Sequence, residues 1–122
     1  MDDEAIKGKI LQKLSLCVGM EHAIDMGALY EAVYGEPWKN KINDTSQLRV
    51  KIRALRQAGT PIGSCTKGFY LLRSDTEVTE FCRRQERRAL GTLMRISKIK
   101  KISLPQYLGQ LQLGIAAAKA EG

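Results

Sequence analysis

Residues 45–58 read TSQLRVKIRALRQA, and the rest of the chain is read outward from them. Leu48, Ile52 and Leu55 recur at i, i+4 and i+7, which places them on one face of an α-helix that must turn to an interior. Arg49, Arg53 and Arg56 recur at the same interval one residue later, about 100° further round the helix. The stretch is therefore an amphipathic helix with a separate cationic stripe. Asn43, Asp44, Thr45 and Ser46 supply a start signal and Gly59 a stop, predicting a helix over Thr45–Ala58.

Upstream, Asp25 can cap a short helix, MGALYEAVYG, with Leu29, Ala32 and Val33 as its apolar stripe and Gly35 as its end. Before it, residues 3–16 carry Ile6, Ile10 and Leu14 at helical spacing, with acids in the first turn where the helix dipole favours them. Glu21-His22-Ala23-Ile24 reads as a short extended link. Between the second and third helices lies EPWKNKIND, a polar loop holding the single Trp. Downstream, TPIGSC and FYLLR are two β-prone runs flanking a Thr66-Lys67-Gly68 turn, a hairpin with Ile62, Phe69 and Leu71 inward. A long helical tract begins at Asp75 or Thr76. Ser103-Leu104-Pro105 breaks it, and residues 106–118 are mildly amphipathic before an Ala-rich end.

Helix, link, helix, loop, basic helix, hairpin is the order of a winged helix-turn-helix. LYEAVYG (29–35) resembles the second-helix signature of the winged-helix effector domains of two-component response regulators. DTSQLRVKIRALRQ (44–57) resembles their recognition helix, with Leu48, Val50, Ile52 and Leu55 at its apolar positions and Arg53 and Arg56 at its basic ones. KGFYLL (67–72) resembles their wing strand. TPIGS is more similar to biotin-repressor-type and phage-type winged helices, and the long basic helix after the wing is foreign to the response regulators. The resemblance implies an α+β, mainly helical fold with a winged helix over residues 1–74, to which the helical tract adds a C-terminal extension over 75–122. It implies a DNA-facing surface, and no signalling role is carried over.

The charge distribution points the same way. Residues 1–38 hold three Lys against seven Asp or Glu, a net −4, whereas residues 39–101 hold sixteen Lys or Arg against five acids, a net +11. A basic block following an acidic one suits a polyanion partner. Cys17, Cys65 and Cys82 are an odd number with no CxxC pair, and His22 is the lone histidine, so no zinc set and no catalytic triad can be assembled. No cofactor and no catalytic activity are expected. The acidic start is unlike a secretory signal and no apolar run nears ~18 residues, so the expected location is the cytoplasm.

On the winged-helix reading, Ser46, Arg49, Val50 and Arg53 face base edges, where Arg can bridge guanine O6 and N7 and Val50 can meet a thymine methyl. Arg56, Lys39 and Lys41 lie beside the groove, as does Lys51 on a face turned from the stripe, while Thr66 and Lys67 sit at the wing tip. Trp38 is either a lid on the helix pair or a contact for a partner protein. Arg83, Arg84, Arg87 and Arg88 form a second cationic face, either for phosphates or as the wet side of a homodimer seam of Val78, Cys82, Ala89, Leu93 and Ile96. The function read from the sequence is that of a sequence-preferring binder of double-stranded DNA, a transcription or replication regulator of bacterial or phage type. The alternative is a winged helix serving as a protein–protein adaptor or inhibitor; RNA binding is disfavoured by scarce aromatics.

Overall fold

The Asp2 carboxylate accepts a hydrogen bond from the Ala5 N–H at 2.7 Å and starts α1 (Asp3–Leu14), whose Asp3 and Glu4 sit at the positive end of the helix dipole. Ile6, Ile10 and Leu14 form its buried face. The computed structural model describes residues 2–121, with side chains as far as Ile115; the expected ending in the Ala-rich tail lies outside those side chains. The architecture is α+β and mainly helical, with one small antiparallel sheet of two strands. No helix among the described residues is long and apolar enough to cross a membrane.

In α2 (Met26–Tyr34), Asp25 accepts from the N–H groups of Gly27 and Ala28, and Gly35 closes the helix in the left-handed conformation at φ 69°. Leu29, Tyr30 and Val33 are buried, whereas Ala32, expected in the same stripe, is exposed. In α3 (Lys41–Gln57), Leu48, Ile52 and Leu55 are buried as their spacing requires. The start of α3 differs from expectation. Asn40 is the cap, its side chain accepting from the Asn43 N–H at 3.2 Å, and its own N–H donates to Asp44 Oδ2 at 3.1 Å. Asn43, Asp44, Thr45 and Ser46 are already helical, so the loop after α2 is four residues shorter than the sequence suggests.

The hairpin pairs β1 (Ile62–Cys65) with β2 (Gly68–Leu71) in the register Ile62↔Leu71, Gly63↔Tyr70, Ser64↔Phe69 and Cys65↔Gly68. Ile62 and Phe69 are buried, and so is Tyr70 on the opposite face, where its Gly63 partner leaves room for the ring. Both faces of this hairpin are therefore covered, although strand alternation would leave one wet. The link between α1 and α2 is not simply extended. It pairs with β2 at Val18↔Leu71, turns through a short 3-10 segment (Met20–His22), and pairs again at Ile24↔Phe69. Gly68 makes the second crossing possible: its φ is +135°, and a Cβ there would lie 1.8 Å from the Ile24 carbonyl oxygen.

One interior holds these elements together: Ile6, Ile10, Leu14, Cys17, Leu29, Val33, Leu48, Ile52, Leu55, Ile62 and Phe69 belong to a single buried cluster. Ser74 caps α4 (Asp75–Lys100) by accepting from the Glu77 N–H at 3.2 Å. Lys101, at φ 60°, ends it, with the Ile102 N–H returning to the Ser97 carbonyl at 3.1 Å. Ser103 then caps α5 (Leu104–Glu121), its Oγ accepting from the Gln106 N–H at 3.2 Å. Pro105 thus lies in the first turn of α5, where its missing N–H costs nothing, and the break falls at Lys101 instead. The chain divides into two compact units within α4, the first ending at Phe81 and the second beginning at Cys82.

Candidate nucleic-acid interface

Because Leu48, Ile52 and Leu55 turn inward, helical geometry carries Ser46, Arg49, Val50 and Arg53 to the other side of α3, and all four are exposed. Neither Arg49 nor Arg53 is ion-paired or hydrogen-bonded through its side chain among the described residues. Two donor forks, a hydroxyl and a pair of methyl groups therefore share one solvent-facing strip, with Val50 at 51% exposure. Such a strip can donate in pairs to planar acceptors or to phosphate oxygens, and it can make one apolar contact.

The other cations of the region are placed differently. Arg56 donates from Nε to the Ile62 carbonyl at 2.9 Å, and its guanidinium lies 5.7 Å from the Phe81 ring centre. It ties α3 to β1 and to the first turns of α4, and burial lowers its pKa from the ordinary arginine value. Lys51 is half-buried and paired with Asp3 of α1. Lys41 stands 5.4 Å from the Trp38 ring centre, a cation–π distance, at the start of α3. Lys39 is exposed in the loop.

Trp38 is half-buried against the core, and its ring covers Gly27, where a Cβ would come within 2.3 Å of it. Its backbone N–H donates to Glu31 Oε1 at 3.2 Å. The lid reading of this residue matches its packing. Thr66 and Lys67 form the exposed two-residue tip of the hairpin. On α4, Arg83, Arg87 and Arg88 are exposed, whereas Arg84 is half-buried and engaged with a neighbour. Of the proposed α4 seam, Cys82 and Ala89 are exposed, and Val78, Leu93 and Ile96 are half-buried.

Three features escaped the sequence reading. A groove of about 520 Å³ runs beside the α3 strip, lined by Ile6, Tyr34, Asn43, Ser46, Gln47, Val50 and Lys51. Asn43, Gln47 and Lys51 are spaced by four residues, a third row of α3 that the helical wheel displays once the true start of the helix is known. Ile42, at 84% exposure, is hidden for the same reason, since the sequence places it in the loop before the helix. The third feature is ionic. Arg73 pairs with Glu21 of the link and with Glu77 of α4 at 3.8 Å, and the Met20 N–H donates to Glu77 at 3.4 Å. Arg73 and Glu77 are only four residues apart, but Glu21 and Met20 lie more than fifty residues from them in the chain, so no local pattern announces the link between the two segments.

Among the described residues no group of three or more His, Cys, Asp and Glu is arranged to hold a metal ion. Compared with family models, with curated proteins and with solved structures, the chain finds no match in any of the three.

Proposed function

We propose that the chain is a winged-helix protein, of the general kind that its α3 and hairpin sequences resemble, and that it binds double-stranded DNA with sequence preference and without catalysis. Three helices around one core, followed by a hairpin tied to the α1–α2 link, support the fold reading. The observation that carries the function is the outward, unpaired strip of Ser46, Arg49, Val50 and Arg53 on a helix whose opposite face is fully buried. The major groove, about 12 Å wide, accepts one helix side-on. With α3 seated there, Lys39 and Lys41 flank its start, and Thr66 and Lys67 reach toward the flanking backbone. Arg56 holds the helix in place and contributes charge only at its edge. A role in regulating transcription or replication in the cytoplasm of a bacterial or phage-infected cell follows from this reading.

Mobility-shift titration with a random duplex pool, repeated at two salt concentrations, tests it. Binding weakens steeply with salt, because counterions are released from each neutralised phosphate. Arg49→Ala and Arg53→Ala each remove about 1–3 kcal/mol of discrimination between selected and random sites. Lys67→Ala weakens all duplexes alike and reduces the salt slope by about 1. Unchanged site preference in both arginine variants would reject α3 as the reading helix. A second reading, docking on a protein, is favoured by one observation: Ile42 and Val50 are apolar and exposed along α3, beside the groove that Val50 helps to line. It requires salt-insensitive binding to a protein and little affinity for duplexes.

A further inference from the structure

We infer that α4 carries a second nucleic-acid surface: its cationic face from Arg83 to Lys98 grips the phosphate backbone of duplex DNA without reading its sequence. That the duplex is DNA rests on the reading of α3 above; the face itself stands on the geometry of α4 alone.

Between Arg83 and Lys98 the chain holds six cations, Arg83, Arg84, Arg87, Arg88, Arg95 and Lys98, against one acid, Glu86. At 100° per residue all six fall within a sector of about 140°, shared only with Gly91 and Met94, and Glu86 lies about 60° outside it. The other side of the helix turns inward, with Leu93 and Ile96 half-buried and Ser97 buried. Arg83, Arg87, Arg88, Arg95 and Lys98 are exposed, whereas Arg84 is half-buried and engaged with a neighbour. Among the described residues no ion pair neutralises any of the exposed five. Arg95 spends one donor on Thr92 Oγ1 at 3.1 Å.

This arrangement works against the helix that carries it. Arg83 with Arg87 and Arg84 with Arg88 stand at i, i+4, and Arg95 with Lys98 at i, i+3. Like charges at these spacings destabilise a helix. A local rule broken this consistently marks a surface kept for a ligand.

Charge density selects the occupant. The face is about 22 Å long at 1.5 Å per residue, roughly one cation every 4 Å. Each strand of B-DNA carries one phosphate per about 3.4 Å of axis. Five of the six cations are Arg, whose planar fork donates in pairs to phosphate oxygens. No Phe, Tyr or Trp occurs from Cys82 to Gln106, so unstacked bases find no platform and a single strand is a poorer fit. A helix lying on a membrane inserts an apolar face, and here the side opposite the cations is already turned inward. Phosphate contacts carry no sequence information, so this surface adds affinity for every duplex and leaves the discrimination of α3 as it is.

Anisotropy titration of the full chain with a random duplex, over a series of salt concentrations, tests this. Arg83→Gln with Arg87→Gln and Arg88→Gln keeps helix propensity and removes three charges. The slope of log K against log salt becomes shallower by roughly 2–3, about 0.9 for each lost phosphate contact, and affinity near 0.1 M salt falls roughly a hundredfold. The preference for selected over random sites is unchanged. Arg83→Lys with Arg87→Lys and Arg88→Lys restores the slope, because counterion release follows charge. Lys9→Gln with Lys13→Gln, on α1, keeps the parent's slope. A glutamine triple with the parent's slope and affinity overturns the inference, whatever the α3 variants do. If Arg49→Ala and Arg53→Ala leave site preference unchanged while the glutamine triple flattens the slope, the reading of α3 falls and this surface stands. Competition by duplex RNA, polyglutamate or phosphatidylserine vesicles as effective, charge for charge, as duplex DNA overturns the choice of partner. A parent chain that binds no duplex overturns both readings.

Discussion

Among the described residues, fourteen apolar side chains are buried up to Phe81, and from Cys82 onward the buried residue is Ser97. The two regions spend their apolar residues in different ways. In the first, α1, α2, α3 and the hairpin each bury a face in a shared interior. In the second, two helices carry comparable Leu, Ile and Met, several of them exposed and others, Leu93, Ile96 and Leu104 among them, only half-buried. Helix formation is thus secured by tertiary packing in one region and by local capping in the other, through Ser103 at the start of α5 and Lys101 at the end of α4.

The sharpest way to break this contrast is to make one chemical change in each region. Leu48 is fully buried, so Leu48→Ala removes transfer energy and leaves a cavity, costing about 2–5 kcal/mol of unfolding free energy by urea titration. Leu113→Ala, at an exposed α5 position, changes stability by less than about 0.5 kcal/mol. Equal costs would erase the distinction between the regions. Hydrogen exchange sharpens it further: amides of α3 exchange only through global opening, whereas those of α5 exchange through local fraying.

A smaller effect tests the start of α3. Asn40→Ala removes a cap and costs about 1 kcal/mol, whereas Thr45→Ala is neutral or stabilises by a few tenths, because inside a helix Ala has the higher propensity and no cap is lost. The reverse ranking would restore the helix start that the sequence suggests. The smallest effect is on pH. The Lys51 hydrogen bond and charge hold the Asp3 carboxyl below its ordinary value of 3.8, and a backbone hydrogen bond, then Arg73, holds Glu21 below 4.5. Both folded-state values are depressed, so this stabilisation is present above the unfolded values and is lost as pH falls through the folded ones. Asp3→Asn and Glu21→Gln should therefore flatten the acid side of the stability curve and leave stability at alkaline pH following the parent's pH dependence.

Where sequence reading succeeded, the signal was local. Leu48, Ile52 and Leu55 declare their burial by spacing alone, and Asp25 and Gly35 bracket α2 because cap and stop residues act on their own backbone. Where it failed, the decision lay between distant residues or between equal local candidates. Four cap-forming residues follow Asn40 and Lys41, and only the packing of α3 on the core selects Asn40. The burial of Tyr70 depends on the Gly63 that the strand register sets opposite it, a pairing that no local pattern announces. The groove beside α3 needs Ile6 and Tyr34 from two other helices, and the Lys51–Asp3 pair spans forty-eight residues. The α3 strip was legible residue by residue, except that Arg56 is committed to Ile62 and Phe81.

The crossing of Ile24 over Gly68 has one more consequence. The hairpin is clamped close to its turn by two backbone hydrogen bonds, Ile24 N–H to the Phe69 carbonyl at 2.8 Å and Phe69 N–H to the Ile24 carbonyl at 2.9 Å. The two-residue tip beyond is therefore a stiff arm whose main chain is already ordered before any ligand arrives. An anion meeting Lys67 immobilises one side chain, about 0.5–1.5 kcal/mol of lost freedom, rather than a whole loop.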